Sequence, residues 1–169
     1  AVGMVATTAT LAAQSGGGGN PPSLEQSREL SRRIVAELGV RDIAALQKAG
    51  VERVIDVRAL PLSRRPGFSK TPLRGALEEA GIEYVHLKAL GTPAEGRTAA
   101  REGRQADLER IYAGQLELPE AMAQSGQMLE LAAEKPSALL CMERDPAQCH
   151  RTLLLRAVAG DAQVVDLYA

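Results

Sequence analysis

The stretch from Leu139 to Arg151, LLCMERDPAQCHR, holds both cysteines of the chain and one of its two histidines. Thiol, imidazole, carboxylate and guanidinium groups gathered this closely are the usual material of nucleophilic, acid–base or metal chemistry. An apolar run reaches Cys141, Glu143 and Arg144 fall in the turn after it, and Asp145-Pro146 offers a cap and a first helical position. Cys149, His150 and Arg151 then enter the first two turns of a helix. Free backbone N–H groups and the positive dipole end favour an anion there and lower the pKa of a nearby thiol.

Several chemistries fit this set. Cys141, Cys149 and His150 are candidate metal ligands, although their spacing matches none of the common zinc patterns and a fourth ligand would have to be Glu143 or water. A disulfide between the two thiols, formed as a redox response, is a second reading. A catalytic thiolate at Cys141 would resemble the strand-Cys-loop-helix layout of rhodaneses and Cys-dependent phosphatases. Those loops end in Arg six residues after the Cys, a position held here by Ala147. The bland alternative is two small buried thiols beside an ion-pair cluster of Glu143, Arg144 and Arg151. For Cys141 that alternative weighs as much as catalysis. Glu143, His150 and Arg151 taken together favour function, with Glu143 or His150 moving a proton and Arg151 holding an anion.

A second group of candidates follows the apolar run that ends at Val57. RALPLSRRPGFSKTPLR carries Arg58, Arg64, Arg65, Lys70 and Arg74, no acidic residue, three prolines and the only Phe of the chain. Guanidinium groups bind phosphate oxygens in pairs, so this stiff cationic loop is read as a contact for a phosphate-bearing small molecule or a nucleic acid, with Phe68 under a base or sugar. The alternative is a solvated loop with Phe68 packed back on the core. A third stretch, LGTPAEGR, has Gly91, Pro93 and Gly96 in a turn and Arg97 after it, and is read as an ordinary connection ahead of the alternative, a flexible lid or substrate loop. His86 lies in a strand and is read as structural.

These residues need a scaffold. A chain of 169 residues with 45% hydrophobic content can bury one substantial core, built mostly of Leu, Val, Ile and Ala because only one Phe and three Tyr are present. The net charge of -1 gives no overall field for holding a polyanion, so any anion site must be local. No apolar run is long enough for a membrane helix, and two thiols do not make a disulfide framework, which points to a soluble, cytoplasmic protein with reduced cysteines. Residues 1–22 are rich in Ala, Thr and Gly and are expected to form a flexible tail. Their apolar start lacks the basic residues that precede a signal-peptide core, and the absence of an initiator Met suggests a trimmed or reassigned start.

From residue 23 the pattern becomes that of an α/β domain running to 169. Helices are predicted over Ser23 to Leu38, Arg41 to Lys48, Pro72 to Ala80, Gln105 to Gly114, Pro119 to Glu134 and Pro146 to Val158. Strands are predicted over Val54 to Val57, Ile82 to Leu87 and Ser137 to Met142, with a last one in AQVVDLY. Strands alternating with helices imply a three-layer, Rossmann-like fold, a mostly parallel sheet flanked by helices. In such sheets the working residues lie in loops at the carboxyl ends of strands, which selects the three loops above.

VIDVRALPLSRRPGFSK, GIEYVHLKALGTPAEGR and LLCMERDPAQCHR, in this order and spacing, resemble the domain of unknown function 488 family, from Gly50 to Tyr168. The resemblance implies a compact α/β domain whose polar motifs suggest an enzyme without an established reaction. It matches Asp56, Arg58, Pro61, Ser63 and Arg64 to the family's first motif, and Cys141, Glu143, Cys149, His150 and Arg151 to its last. It thereby groups the first and third loops into one site and adds Asp56 and Ser63 to the substrate-binding set of Arg58, Arg64, Arg65, Phe68, Lys70, Arg144 and Arg151. The chain departs from the family near its start, where RRIVAELGVRDIAALQKAG replaces a short strand ending in a Thr-Ile-Gly-Tyr type of stretch.

The expectation is therefore an enzyme that acts on a phosphate-bearing substrate by acid–base chemistry, with Glu143, His150 and Cys141 at the reacting centre and no cofactor required by the sequence. The rivals are a non-catalytic nucleic-acid-binding module and a metal-dependent hydrolase using the Cys/His cluster. The oligomeric state is not encoded in any feature above.

Overall fold

The computed structural model describes residues 5–10, 41–64, 67–143, 149–160 and 163–168. Five strands form one sheet in the order β3-β2-β4-β1-β5: β1 Val5–Thr10, β2 Arg53–Asp56, β3 Glu83–His86, β4 Ser137–Cys141 and β5 Gln163–Tyr168. β2 pairs in parallel with β3 and with β4, while β1 runs antiparallel to both β4 and β5. Six helices are described: α1 Arg41–Lys48, α2 Lys70–Glu79, α3 Ala94–Arg101, α4 Gln105–Leu116, α5 Pro119–Glu134 and α6 His150–Val158.

The side-chain alternation of a strand makes the three layers. Val54, Ala138 and Leu140 turn to one face, where they meet Leu46 of α1 and Leu73 and Leu77 of α2. Ile55, Val57 and Leu139 turn to the other, against Tyr112 of α4, Met128 of α5 and Leu154 and Leu155 of α6. Both faces are buried, so β2 and β4 read as nearly continuous apolar runs, as parallel strands between helix layers must. Each fully buried Leu or Ile contributes about 1.5–3 kcal/mol.

Local signals set most element ends. Pro119 opens α5, where its missing N–H costs nothing. Gly50, at φ +70°, follows α1 and lets the chain reverse into β2. At the amino end of the sheet, Arg53 pairs with Glu83 and Glu134 and so ties β2 to β3 and α5.

Three expectations change, the first at LGTPAEGR, where Gly96 and Arg97 lie in α3 rather than in or after a turn. Residues 5–10, placed by composition in a flexible tail, form a strand paired on both sides, from Val5↔Cys141 to Ala9↔Ser137 with β4 and from Val5↔Tyr168 to Thr10↔Gln163 with β5. Four of its six residues are Val or Thr, whose β-branching suits a strand whatever the polarity of the stretch. The last helix begins at His150, four residues later than predicted, with Cys149 rather than Asp145 as its N-cap. The helix predicted for Ser23 to Leu38 lies outside the described residues.

Candidate functional site

β2 and β4 are neighbours, but the helices that follow them leave for opposite faces, α2 to the side of Val54 and α6 to the side of Ile55. A parallel sheet opens a crevice at such a point, outside the carboxyl ends of its strands. Here the crevice is a cleft of about 310 Å³. Residues after β2 (Arg58 to Leu60, and Leu62) and after β4 (Cys141 to Glu143) line it, together with His150 at the start of α6. Thr92, Arg97, Ala100, Arg101 and Leu108, from α3, α4 and the turn before them, close the far wall.

At the inner end Cys141 Sγ lies 3.3 Å from His150 Nδ1. His150 Nε2 is 3.1 Å from the Val57 carbonyl. A carbonyl oxygen only accepts, so Nε2 carries the hydrogen and Nδ1 meets the thiol either as acceptor or, in the imidazolium, as donor. The ring of Tyr112 packs edge-on against this imidazole, with centroids 5.3 Å apart, and its hydroxyl donates to the Leu90 carbonyl. The imidazole is thus held from two sides, one polar and one aromatic.

Cys149 Sγ stands 4.0 Å from the same Nδ1. Burial alone would raise the Cys141 pKa, but the Cys149 thiol, the Arg151 charge and the backbone N–H groups of Glu143 and Met142 outweigh it and hold the thiol below its ordinary value. Cys149 moves the other way: burial raises it, and the hydrogen bond to Cys141 with the latter's charge adds to the rise. Of the two thiols, Cys141 is the one disposed to ionise. Arg151 is fully buried, with Nε 3.1 Å from Cys149 Sγ and Nη2 donating to the Glu143 carbonyl. Its guanidinium supports the thiols and the turn after β4.

A family model, Domain of unknown function DUF488, matches residues 40–158, which contain every residue that lines the cleft. The chain belongs to the DUF488 family. Comparison with curated proteins and with solved structures gives no match. The matched span of this DUF488 chain leaves β1 and β5 outside it.

The DUF488 chain brings together Cys141, Glu143, His150 and Arg58 of the residues proposed from the sequence, and separates others from them. Asp56 is fully buried and turned to the opposite face, where it accepts from Arg58 Nε at 2.8 Å, Arg58 Nη2 at 2.6 Å and the Tyr84 hydroxyl. Arg58 Nη1 also donates to the Phe68 carbonyl. This guanidinium spans the loop from inside rather than standing open to a phosphate. Burial and the Asp56 carboxylate raise the Tyr84 pKa.

Phe68 packs on the core of α1 and α2, and Ser63 is bonded through its backbone to Ser69 Oγ, so neither lines the cleft. Lys70 Nζ donates to His86 Nδ1, whose Nε2 donates to the Arg58 carbonyl, the structural role read for His86. Arg64 is exposed and does not line the cleft; Arg65 and Arg144 lie outside the described residues.

Arg97, noted in the sequence only as the end of a connection, and Arg101, not singled out there, both belong to the cleft. Their i, i+4 spacing puts both on one face of α3, and both reach the cleft. Arg97 Nη1 donates to the Thr92 carbonyl and Arg101 Nη2 to Thr98 Oγ1. These bonds engage one of the five N–H donors on each guanidinium. The same cleft is lined by three apolar side chains that remain substantially exposed, Leu60, Leu62 and Met142.

Proposed function

We propose that the chain is an enzyme that binds a phosphate-bearing small molecule of about nucleotide size in the cleft and acts on it by acid–base chemistry. The observation that carries this reading is the oriented Cys141–His150 pair at the inner end of a cleft whose far wall presents Arg97 and Arg101. Two guanidinium groups suit a dianion, the exposed Leu60, Leu62 and Met142 suit its organic part, and the cleft volume falls within the range of small-molecule sites. Glu143 lines the same space and is exposed, which suits a carboxylate that accepts a proton. Two free cysteines accord with a reducing, cytoplasmic setting, and among the described residues no helix is long and apolar enough to cross a membrane.

The rival reading, a nucleic-acid-binding module, rested on the loop after β2. It loses support because Arg58 is held by Asp56 and Phe68 is packed on the core. The test is turnover of a panel of nucleotides, phosphosugars and simple phosphate esters by wild type, His150→Gln, Glu143→Gln and Arg97→Ala/Arg101→Ala. Loss of a proton-transferring side chain should lower kcat by about 10²–10⁴-fold. The double arginine variant should raise KM for phosphate-bearing compounds. Full retention of turnover in His150→Gln and Glu143→Gln would remove the catalytic part. Oligonucleotide binding that falls steeply with salt and ignores Glu143→Gln would favour the binding module instead.

A further inference from the structure

His150 offers Nδ1 to the two thiols because its Nε2 hydrogen is committed to the Val57 carbonyl. Metal-binding imidazoles are held in this way: one ring nitrogen donates to a carbonyl, fixing the tautomer and turning the other lone pair toward the ion. Around that lone pair stand Cys141 Sγ at 3.3 Å and Cys149 Sγ at 4.0 Å, and all three donor atoms lie within 4.8 Å of one another. Tetrahedral zinc, with Zn–S of about 2.3 Å and Zn–N of about 2.05 Å, needs donor–donor edges of about 3.6–3.8 Å. The observed S···N separations bracket that figure, and the S···S edge, within 4.8 Å, closes to it with a side-chain shift of no more than about 1 Å.

The donor set also selects the ion. Two thiolates and an imidazole favour zinc over magnesium or calcium, which take oxygen ligands. All three donors are buried. Arg151 Nε donates to Cys149 Sγ from outside the set, as second-layer partners of metal thiolates do. Cys141 and His150 line the cleft while Cys149 stands behind them, so the side of the set away from Cys149 faces the cleft. The spacing matches no common zinc pattern because one ligand ends a strand and the other two are the N-cap and first residue of α6.

The geometry points to a binding site for a zinc-class divalent cation, formed by Cys141 Sγ, Cys149 Sγ and His150 Nδ1, with its fourth position open to the cleft. Three protein ligands and an open position are the catalytic rather than the structural pattern. The inference rests on the cleft being the substrate site; with the ion bound, Cys141 and His150 serve as its ligands, Glu143 alone moves the proton, and the reaction narrows to hydrolysis of a phosphate ester. Water activated at the ion forms the new P–O bond, the ester P–O bond breaks, and the proton given up by the water passes through Glu143 to the departing alkoxide.

The experiment uses the full chain, kept reduced, stripped with a chelator and titrated first with Co2+ and then with Zn2+. One equivalent of cobalt should bind with the intense visible bands of a tetrahedral site and a thiolate-to-cobalt charge-transfer band, and zinc should displace it. Folded Cys149→Ser should bind zinc at least about 100-fold more weakly, beyond the usual effect of losing an outer partner. If that variant or His150→Gln does not fold, the wild-type spectrum still decides, because the charge-transfer band reports thiolate ligation directly.

Uptake of less than about a tenth of an equivalent, with no charge-transfer band, would overturn the site. So would wild-type zinc affinity in folded Cys149→Ser. Ester turnover without zinc uptake would remove the ion and leave the thiol–imidazole pair as the reacting group. Stoichiometric zinc without turnover of any ester would keep the ion site and remove the hydrolytic reading.

Discussion

Replacing Asp56 by Asn should cost the protein a large share of its stability. The carboxylate is fully buried and accepts from Arg58 Nε, Arg58 Nη2, the Arg58 backbone N–H and the Tyr84 hydroxyl, while the Arg58 side chain is only 4% exposed. Burial by itself would lower the Arg58 pKa, but its bonds to Asp56 and the carboxylate's charge raise it above the ordinary value. The charged pair is thus the form the fold contains. Asn keeps the shape but removes the negative charge and turns an N–H₂ group toward donors, leaving a buried guanidinium without its counter-charge.

Breaking a buried pair in this way costs about 3–5 kcal/mol, against a total stability of about 5–15 kcal/mol for a typical domain. At about 2–4 °C per kcal/mol for a chain of this size, Tm should fall by about 6–20 °C. Denaturant unfolding followed by circular dichroism measures the loss directly. Asp56→Leu/Arg58→Met, which removes both charges and keeps apolar volume, should recover most of it. A loss under about 1 kcal/mol for Asp56→Asn, the range of exposed ion pairs, would mean that water reaches the pair and would return Arg58 to the list of open anion contacts.

Three other perturbations probe the frame of the cleft. A methyl group on Gly91 would run into the Ala59 backbone nitrogen and Cα, so Gly91→Ala should force the loop after β2 to move, cost about 1–3 kcal/mol in thermal unfolding and weaken any cleft ligand; unchanged Tm and affinity would show that this approach is not tight. Tyr112→Phe removes the hydroxyl that donates to the Leu90 carbonyl at 2.6 Å and should lower stability by about 1 kcal/mol in denaturant unfolding while leaving the ring on His150. Glu83 is held below its ordinary pKa of 4.5 by hydrogen bonds to Arg53 and Lys135. Its contribution is therefore present above about pH 4.5 and fades as pH falls through the lower folded value. Glu83→Gln should flatten the acid limb of a stability-against-pH curve, and an unaltered limb would count against the Arg53–Glu83–Lys135 cluster.

The sequence made most of the scaffold readable because its signals there are local. Clustered β-branched residues marked β2, and the short apolar runs around Val85 and Leu139 marked β3 and β4, each to within a residue or so, and Pro119 opens α5 where expected. The strand at Val5–Thr10 was hidden for a physical reason. Its pairing partners lie more than a hundred residues away, and a short Ala/Thr/Val stretch has no periodicity of its own to show that a ladder will complete it. The start of α6 was misplaced because Asp145-Pro146 is a good capping pair in isolation, whereas Cys149 caps the helix through its thiol, which accepts from the Arg151 N–H.

The site was half legible for a related reason. A motif shows which polar residues lie close in sequence, but the pleat decides which face each one serves. Asp56 follows the parity of Val54 and turns into the α1–α2 layer with Tyr84, while Cys141 follows the parity of Leu139 and turns toward His150. The cationic loop and the Cys/His stretch therefore differ in what they bring: one contributes Arg58 as a buried brace for the cleft wall, the other places Cys141 and His150 at the cleft's inner end. Among the described residues, Arg97 and Arg101 bring positive charge to the cleft, two residues whose i, i+4 spacing was visible in the sequence but carried weight only once α3 was seen to line the same cleft as the end of β4. His86 and His150 complete the arrangement from opposite faces, donating to the carbonyls of the consecutive residues Arg58 and Val57. The turn after β2 is thereby pinned on both sides.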